Sequence, residues 1–517
     1  MQLLDQALEF TALPGALAAY RSVTDEAGLL AFADAVKQSG GRFVALWGSD
    51  ERDRQAGFAL HVALWQASGL ALVTLPLSAE NPEYPDLSAI FPAANRQQRA
   101  TYDLLGIRAR SEDRRPWLRH ANWPADYFPL RRDCDPTRHF DTANEEYAFV
   151  RVEGDGVHEI PVGPIHAGII EPGHFRFSIV GEKVLRLEQR LGWKHKGIEK
   201  RFEQLPLADA YKLAGRVSGD ATVAYAWAYC LAAESLTACS PPPRALWLRA
   251  LLLERERIAN HLGDLGYLGN DAALSFGLSQ FMRLREDWLR LSGELFGHRL
   301  SMDCIVPGGV ARDLPEAGGA KMLTQCDSIE REVRILKDIY EEHAGLQDRF
   351  LSTGRLDPAL AGELSVSGLA GRASSQTWDL REQNQIAPYD QLNVQVASHR
   401  NGDVAARVAV RFDEIFESLR VTRQILVVLT DEVCRELIAP LPAARDGAFG
   451  VGWIEGWRGD VLIALTAGAA GGIRRCHCHD PSWHSWPALE HAVMGNIVPD
   501  FPLINKSFNL SYSGQDL

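Results

Sequence analysis

The stretch Leu246 to Leu268 reads LWLRALLLERERIANHLGDLGYL, and it decides the fold of the larger part of the chain. Apolar residues return every three or four positions with charged residues between them, which is the period of an α-helix that buries one face. Three further stretches repeat this pattern, at Phe281 to Phe296, Ala320 to His343 and Val404 to Ile438. Together these stretches predict a helical bundle.

Short apolar runs ahead of the helical part have the composition of β-strands. They lie at Phe43 to Trp47, Phe58 to Trp65 and Ala71 to Leu75, and they predict a small α/β domain. A hairpin is expected at Phe175 to Glu182, and two strands at Gly450 to Gly456 and Val461 to Leu465. The fold class is therefore α+β, with a small α/β N-terminal domain followed by a mainly helical bundle domain that contains small β elements.

Between the two parts, residues 114–139 are rich in Arg, Pro, Asp and Trp and show no period. Such a segment is typical of an extended linker or wrapping arm. We divide the chain into a first domain at 1–118, a linker at 119–158 and a second domain at 159–517.

Composition limits the possible partners and the compartment. The chain has 517 residues and a formal charge of −13, which argues against binding to nucleic acid or to an anionic lipid surface. No apolar run reaches the roughly 20 residues that cross a bilayer, and Asp5 and Glu9 stand where a signal peptide carries positive charge. Eight mostly isolated cysteines do not predict a disulfide framework. We expect a cytoplasmic chain that reaches a membrane only through partners.

The first domain contains Arg99, Asp103 and Gly106, with two apolar residues directly before the glycine. This spacing resembles the signature of the small peripheral-arm subunit of complex I, which is E-R-E-x-x-D, two apolar residues and Gly. The two glutamates of the signature are replaced by Gln98 and Ala100.

A longer series of motifs occurs in the second domain. The motifs, in order, are Gly163 to His166, Glu171 to Phe177, Lys194 to Lys200, Arg257 to Leu262 and Gly308 to Leu314. This series resembles the large subunit of group 4 membrane-bound nickel-iron hydrogenases, which are of the formate hydrogenlyase and hydrogenase-4 type, and the related subunit of complex I. The resemblance begins at about Glu159 and continues to the last residue. The chain thus resembles a fusion of two neighbouring peripheral-arm subunits.

The resemblance implies where nickel would bind, and the ligands are missing. In such hydrogenases four cysteines hold nickel, from R-x-C-G-x-C and D-P-C-x-x-C. Here Ser218, Ala221, Ser511 and Gly514 occupy those positions. Hydroxyl groups are poor substitutes for thiolates as ligands of a soft metal, and Ala and Gly offer no ligand. We expect no nickel-iron centre and no hydrogen turnover.

The quinone site of complex I is not intact either. The tyrosine that bonds the quinone there falls on Gly219, and the only available counterpart of its histidine is His174, in a hydrogenase-like Pro-Gly-His-Phe context. We expect no cofactor bound by this chain itself, an iron-sulfur cluster on a partner subunit, and a quinone as a possible ligand of the cleft.

The resemblance also nominates polar residues that survive the loss of the metal. Glu199, Asp220 and His195 are expected to form a proton relay. Arg216, His174 and His166 are expected near the partner's cluster or the quinone cleft.

Two of these residues have simpler interpretations. Glu199 could be a solvated helix glutamate beside Lys196 and Lys200. Asp220 could accept charge from Arg216 or cap a helix.

One more cluster, Cys476-His477-Cys478-His479-Asp480 with His484, contains possible zinc ligands. Strand alternation would place the two cysteines on one face and His477 and His479 on the other, which splits the ligands. A metal site and a structural strand both remain open.

The expected function is that of an oxidoreductase-complex subunit that is not itself a hydrogenase. It would pass electrons from an iron-sulfur small subunit to a cleft without nickel, above antiporter-like membrane subunits on the cytoplasmic face of the membrane. The alternative is a non-catalytic scaffold or coupling subunit of an ion or inorganic-carbon transport complex.

Overall fold

The N-terminal part of the protein is a five-stranded sheet with two helices. The computed structural model describes residues 8–120, 123–135, 137–141, 147–166, 170–383, 386–431 and 434–517. The first elements are β1 (Thr11–Ala12), β2 (Ala19–Val23), α1 (Glu26–Gln38), β3 (Arg42–Asp50), β4 (Phe58–Gln66), β5 (Gly69–Leu77), β6 (Glu83–Tyr84), α2 (Ala94–Leu105) and β7 (Arg108–Ala109). The strand order is β1-β2-β5-β4-β3, and only the pairing of β2 with β5 is parallel. The three predicted strands are confirmed as β3, β4 and β5.

This sheet is covered on both faces, which explains why its strands read as continuous apolar runs. In β3, Phe43 and Leu46 belong to a core shared with Phe32 of α1. Val44 and Trp47 belong to a second core, which is shared with residues of the C-terminal part of the chain. The N-terminal sheet therefore packs between its own helices on one face and the larger domain on the other.

The segment that follows contains no helix or strand in its described residues between β7 and Val157. This segment nevertheless forms hydrogen bonds with both parts of the protein. The Asp103 carboxylate accepts the backbone N–H groups of Trp117 and Leu118 at 2.6 and 2.7 Å. Further along, the carbonyl of Arg131 accepts a hydrogen bond from Lys200 Nζ at 3.0 Å. These contacts fit a wrapping arm, while the boundaries at 118 and 158 remain predictions.

The second part is built mainly from helices. Its elements are β8 (Val157–Val162), β9 (His174–Val180), β10 (Lys183–Arg190), α3 (Ile198–Phe202), α4 (Tyr211–Ala214), α5 (Thr222–Thr237), α6 (Pro243–Asp271), α7 (Ser275–Phe296), β11 (Ile305–Val306), β12 (Gly309–Val310), α8 (Gly318–Glu342), α9 (Ala344–Phe350), α10 (Pro358–Glu363), α11 (Gly368–Arg372), α12 (Leu380–Gln383), α13 (Val404–Asp431), β13 (Phe449–Glu455), β14 (Asp460–Ala467), β15 (Ile473–His479), α14 (Ser482–Val493), α15 (Phe501–Phe508) and α16 (Tyr512–Asp516). The α+β class is confirmed.

The charged residues of α6 do not face water, because this helix lies at the centre of the domain. Arg249 pairs with Glu234 of α5 at 2.6 Å, and Glu254 pairs with Arg381 of α12 at 3.1 Å. Asp264 accepts Arg411 of α13 at 2.8 Å. Buried charges persist only when they are paired, so these bridges fix how the surrounding helices meet α6.

The helix predicted to run from Val404 to Ile438 ends earlier, at Asp431. The backbone groups beyond it bond elsewhere: Ala439 N–H donates to the carbonyl of Gly308 at 2.9 Å, and Ile438 bridges to Gly309. The period of the sequence could not indicate this pairing, which replaces the last turns of the expected helix.

The last sheet, β13-β14-β15, packs directly against α5. Two glycines of β13 allow this close approach, since a Cβ atom at Gly450 would lie 2.2 Å from the carbonyl oxygen of Ala232, and one at Gly452 would lie 1.9 Å from that of Ala228. The expected strands near the C-terminus are thereby confirmed. Within the described ranges, no helix combines the length and the apolar character needed to cross a membrane.

Candidate functional site

The four positions that the resemblance predicts for nickel ligands lie close together in the folded chain. The Ser218 and Ser511 hydroxyl oxygens lie 3.1 Å apart although 293 positions separate them in the sequence. The Gly514 N–H donates to Ser511 Oγ at 2.8 Å, and Ala221 N–H donates to the Ser218 carbonyl at 3.1 Å. The loop before α5 and the start of α16 thus form one small buried cluster.

The hydroxyl protons of this cluster are already used. Ser218 Oγ donates to the Asp220 carboxylate at 2.7 Å, so its single hydroxyl proton is committed. The bond between the two serines must then be donated by Ser511. Two neutral hydroxyls whose protons are engaged in this way are poor ligands for a soft metal.

Asp480, at the end of β15, fills the space beside Gly514. A Cβ atom on Gly514 would lie 2.3 Å from Asp480 Oδ2. That oxygen accepts the Tyr225 hydroxyl at 2.7 Å, and Oδ1 accepts the Ser482 N–H at 2.8 Å. A side chain at position 514 would therefore have to displace a buried, hydrogen-bonded carboxylate. The residues present do not fit a nickel-iron centre.

The partner of Asp220 is Arg458, and this corrects both simple interpretations of that residue. Arg458 Nη2 lies 2.5 Å from Asp220 Oδ2, whereas Arg216 points outward and pairs with Asp303 at 2.7 Å. The N-cap residue of α5 is Ala221, and no side chain caps that helix. Burial opposes the ionisation of Asp220, but Arg458 outweighs it and lowers the pKa of the carboxyl.

Glu199 is buried, so its interpretation as a solvated helix glutamate is wrong. Its Oε2 accepts Arg475 Nη2 at 2.9 Å, and Oε1 accepts both His477 Nδ1 at 2.7 Å and the Cys478 N–H at 3.1 Å. Burial alone would raise the pKa of Glu199, yet Arg475 and His477 outweigh it and lower that pKa to about 2. Glu199 is thus an ionised anchor in the resting structure, and its role in a proton relay stays a prediction.

His477 gives this anchor a titratable neighbour. Because its Nδ1 bonds to a carboxylate, that nitrogen carries the proton and Nε2 is the free acceptor. Nε2 is buried and has no partner among the described residues. The ring stacks on Trp47 of the N-terminal sheet with a centroid separation of 4.8 Å, so this polar group lies where the two parts of the chain meet.

The alternation of β15 follows the predicted pattern. Cys476 and Cys478 are buried in the core beneath the strand, whereas His479 lies beside His484, with ring centroids 4.9 Å apart. No group of three or more His, Cys, Asp or Glu side chains within the described ranges is arranged to hold a metal. The predicted strand is confirmed, and its two faces separate the cysteines from the histidines.

His195 lies against the C-terminal helix α16. Its Nδ1 lies 2.8 Å from the main-chain carbonyl of Asp516, while the Asp516 carboxylate accepts the Lys194 N–H at 2.8 Å. Burial raises the pKa of the Asp516 side chain to about 7. The predicted relay residue His195 therefore contacts the main chain of a residue whose buried carboxyl has a raised pKa, which the sequence did not indicate.

His174 and His166 both lie near the backbone of Gly163. His174 Nδ1 lies 2.9 Å from the Gly163 carbonyl, and its ring is one wall of a cleft of about 340 Å³. Other walls of this cleft are Arg115, Pro116, His120, Tyr147, Ala148, Phe149, Arg176, Arg190 and Trp193. His166 Nε2 is buried without a partner among the described residues.

The sequence missed three residues that complete these clusters: Arg458, Arg475 and Asp480. Asp480 was visible only as the last letter of a possible zinc motif. Arg458 lies in the turn between β13 and β14 and carries no periodic signal. Buried partners that lie far apart in the sequence cannot be read from local spacing.

Comparison with known proteins defines the class to which this fold and site belong. Residues 23–140 match the family model of the respiratory-chain NADH dehydrogenase 30 kDa subunit, and residues 262–445 match that of the 49 kDa subunit. The chain is 31% identical to formate hydrogenlyase subunit 5 of Escherichia coli over 93% of its own length and 85% of that protein. It belongs to the family that comprises these hydrogenase large subunits and the fused C/D proteins of NADH-quinone oxidoreductase.

Other relatives extend the same pattern. Hydrogenase-4 component G of Escherichia coli is 29% identical over 93% of this chain and 84% of its own length. The fused C/D protein of NADH-quinone oxidoreductase from Bacteroides thetaiotaomicron is 27% identical over 81% of this chain and 84% of its own length. Among solved structures, a chain of the archaeal membrane-bound sulfane sulfur reductase has the same fold, with a TM-score of 0.64, 22% identity and coverage of 70% of this chain and 99% of that one.

Proposed function

We propose that this protein is a nickel-free subunit of a membrane-associated oxidoreductase complex of the hydrogenase and complex I type. It docks on an iron-sulfur small subunit and, through that partner, on antiporter-like membrane subunits at the cytoplasmic face. The observation that carries the proposal is the contact of Ser218 with Ser511, with Asp480 filling the space beside Gly514, at positions where the resemblance predicts nickel ligands. Hydrogen is not the substrate at this position.

The acceptor version of the function is supported by the cleft beside His174. Its volume of about 340 Å³ lies in the range of small-molecule sites. Aromatic rings of Phe149 and Trp193 line it, and Arg176 stacks over Phe149 at 4.4 Å. Aromatic walls with arginine and histidine donors beside them suit a quinone headgroup, whose ring stacks and whose carbonyl oxygens accept hydrogen bonds. In this version, electrons from the partner's cluster reach an acceptor in this cleft.

A partner surface between β8 and β9 is supported by exposed apolar side chains. Ile165 is 95% exposed and Ile170 is 46% exposed, and both lie in this connection. Exposed apolar surface is a common feature of protein interfaces. The iron-sulfur small subunit is the partner that the family organisation offers.

The alternative, a non-catalytic scaffold or coupling subunit, is favoured by a different observation. Glu199 and Asp220 are both held ionised by buried arginines. Such paired buried charges around residues 199 and 220 suit a structural role. In this version the chain keeps the peripheral arm assembled for ion or inorganic-carbon transport, and no electron acceptor binds to it.

Elemental analysis of the complex purified through this chain tests the proposal. Iron without nickel is the expected result. Stoichiometric nickel would overturn it, because the cluster described above leaves no room for that metal.

Quinone reduction by the same complex then separates the two versions. The acceptor version expects Trp193→Ala to raise the KM for a short-chain quinone by about tenfold, the effect of losing one well-packed apolar contact surface. His158→Ala, an exposed histidine of β8 outside the cleft, should leave KM unchanged. Absence of quinone reduction in an iron-containing complex would support the scaffold version.

A further inference from the structure

Arg255, on α6, is a buried cation that lacks a counter-charge. Its side chain is 2% exposed. The guanidinium donates to Ser292 Oγ at 2.9 Å and to the Trp288 carbonyl at 2.8 Å, and it stacks on the Trp288 ring at 3.9 Å. No carboxylate within the described residues pairs with it, and Nη1 has no hydrogen-bond partner among them. Buried charges are normally paired because desolvation is costly.

A small cavity of about 20 Å³ is lined by Arg255. By this measure it can hold one or two water-sized groups. Arg285 of α7 lines the same cavity and donates through Nε to the Ala259 carbonyl at 3.1 Å, without an ion pair in the described chain. Arg299 also lines it and pairs with Glu286. Gly219 and Asp220, from the loop at residues 218–221 before α5, form another part of the wall.

The carboxyl groups near this cavity do not neutralise it. Asp220 is committed to Arg458. Glu256 accepts the N–H groups of Val223 and Ala224 at 2.7 and 3.1 Å, and burial raises the pKa of its side chain to about 8. Even an ionised Glu256 would neutralise only one of the two guanidinium groups, those of Arg255 and Arg285, that have no ion-pair partner in the described residues, so the cavity keeps an excess of positive charge.

We propose that this cavity binds formate, a small carboxylate anion, between the guanidinium groups of Arg255 and Arg285. Guanidinium groups match a planar carboxylate with paired N–H donors. Bicarbonate and phosphate carry more oxygen atoms than formate and are too bulky for a cavity that holds one or two water-sized groups. Binding would place a charged ligand directly behind the Gly219–Asp220 loop and supply the missing counter-charge of Arg255.

Thermal unfolding of the purified full-length chain tests this site. The probes are formate, bicarbonate, phosphate and chloride, each added at pH 7 and at constant ionic strength in sodium methanesulfonate. A ligand that binds only the folded state raises the melting temperature. Formate should therefore give a saturable rise. Bicarbonate, phosphate and chloride should give none.

Variants assign the effect to the cavity. Arg285→Gln should raise the half-saturating concentration at least about tenfold, since it removes a charge-assisted hydrogen bond. Arg255→Met should abolish the saturable rise. Arg283→Gln, on the same helix but ion-paired outward to Glu332, should behave like the parent chain.

Three outcomes would overturn the proposal. One is the absence of a saturable rise with formate, and another is an equal rise with bicarbonate or phosphate. The third is an unchanged response in Arg285→Gln, which decides the matter even if Arg255→Met does not fold.

Discussion

Arg475 and Glu199 form an almost completely buried ion pair, with Nη2 and Oε2 at 2.9 Å and side chains 6% and 4% exposed. Arg475 comes from β15 and Glu199 from α3, which are 276 positions apart in the sequence. The pair, together with His477, joins the C-terminal sheet to the segment that precedes the loop at residues 218–221. Its loss should therefore affect stability before it affects any chemistry.

Glu199→Gln should lower the free energy of unfolding by about 3 to 5 kcal/mol, because it leaves Arg475 buried without a partner. Urea denaturation of the isolated chain measures this loss. Removing both charges in Glu199→Gln with Arg475→Met should recover part of it, since the uncompensated cation is then gone. A single variant as stable as the parent chain would show that the pair is not desolvated.

Acid should weaken the same anchor. The pKa of Glu199 is lowered from 4.5 to about 2 in the folded chain, so the unfolded chain takes up its proton first as pH falls. The stabilisation is complete above about pH 5 and is lost progressively down to about pH 2. The parent chain should lose stability over this window more steeply than Glu199→Gln. Equal slopes in urea titrations at pH 6, 5 and 4 would contradict the assignment.

Gly514→Cys should destabilise the chain by about 2 kcal/mol, the usual cost of overpacking a buried site. The new Cβ must displace Asp480 and break its bond with the Tyr225 hydroxyl. Asp480→Ala in the same chain should make the cysteine less costly than it is alone, so the two changes are coupled. Additive losses in urea denaturation would show that Asp480 does not fill this space.

The sequence predicted the elements of this protein better than their partners. The apolar period of α6 in the sequence and the apolar runs of β3 to β5 are local properties, so the existence of these elements could be predicted directly. The meeting of Ser218 with Ser511 could also be anticipated, but only from the resemblance to a metal-binding family. Pairing of buried charges depends on which elements become neighbours in space. For that reason local spacing offers only Arg216 or a helix end as partners of Asp220, although Arg458, 238 positions away, is its partner.

Substitutions of two arginines beside the loop at residues 218–221 should differ sharply in their effect on stability. Arg216→Gln breaks an exposed pair with Asp303, and such pairs contribute about 0 to 1 kcal/mol. Arg458→Gln removes a side chain that is 6% exposed and leaves the half-buried Asp220 carboxylate without its cation, so it should cost about 2 kcal/mol or more. Urea denaturation of the two variants under one condition checks the order. A larger loss for Arg216→Gln would mean that Asp220 depends on Arg216 after all.

Asp516→Asn should stabilise the protein at neutral and alkaline pH while changing little in acid. Burial raises the pKa of the Asp516 carboxyl from 3.8 to about 7, so between these values the folded chain keeps a proton that the unfolded chain releases. Stability of the parent chain must then fall as pH rises from about 4 to 7, by a few kcal/mol in total, and level off above about pH 8. The asparagine variant has no such proton and should not show this fall. Urea denaturation at pH 5 and pH 8 measures the difference, with Asp209→Asn as a control at an exposed carboxyl that is 58% accessible. If the parent chain and Asp516→Asn keep the same separation at both pH values, Asp516 does not exchange a proton near neutrality, and it offers His195 no relay partner.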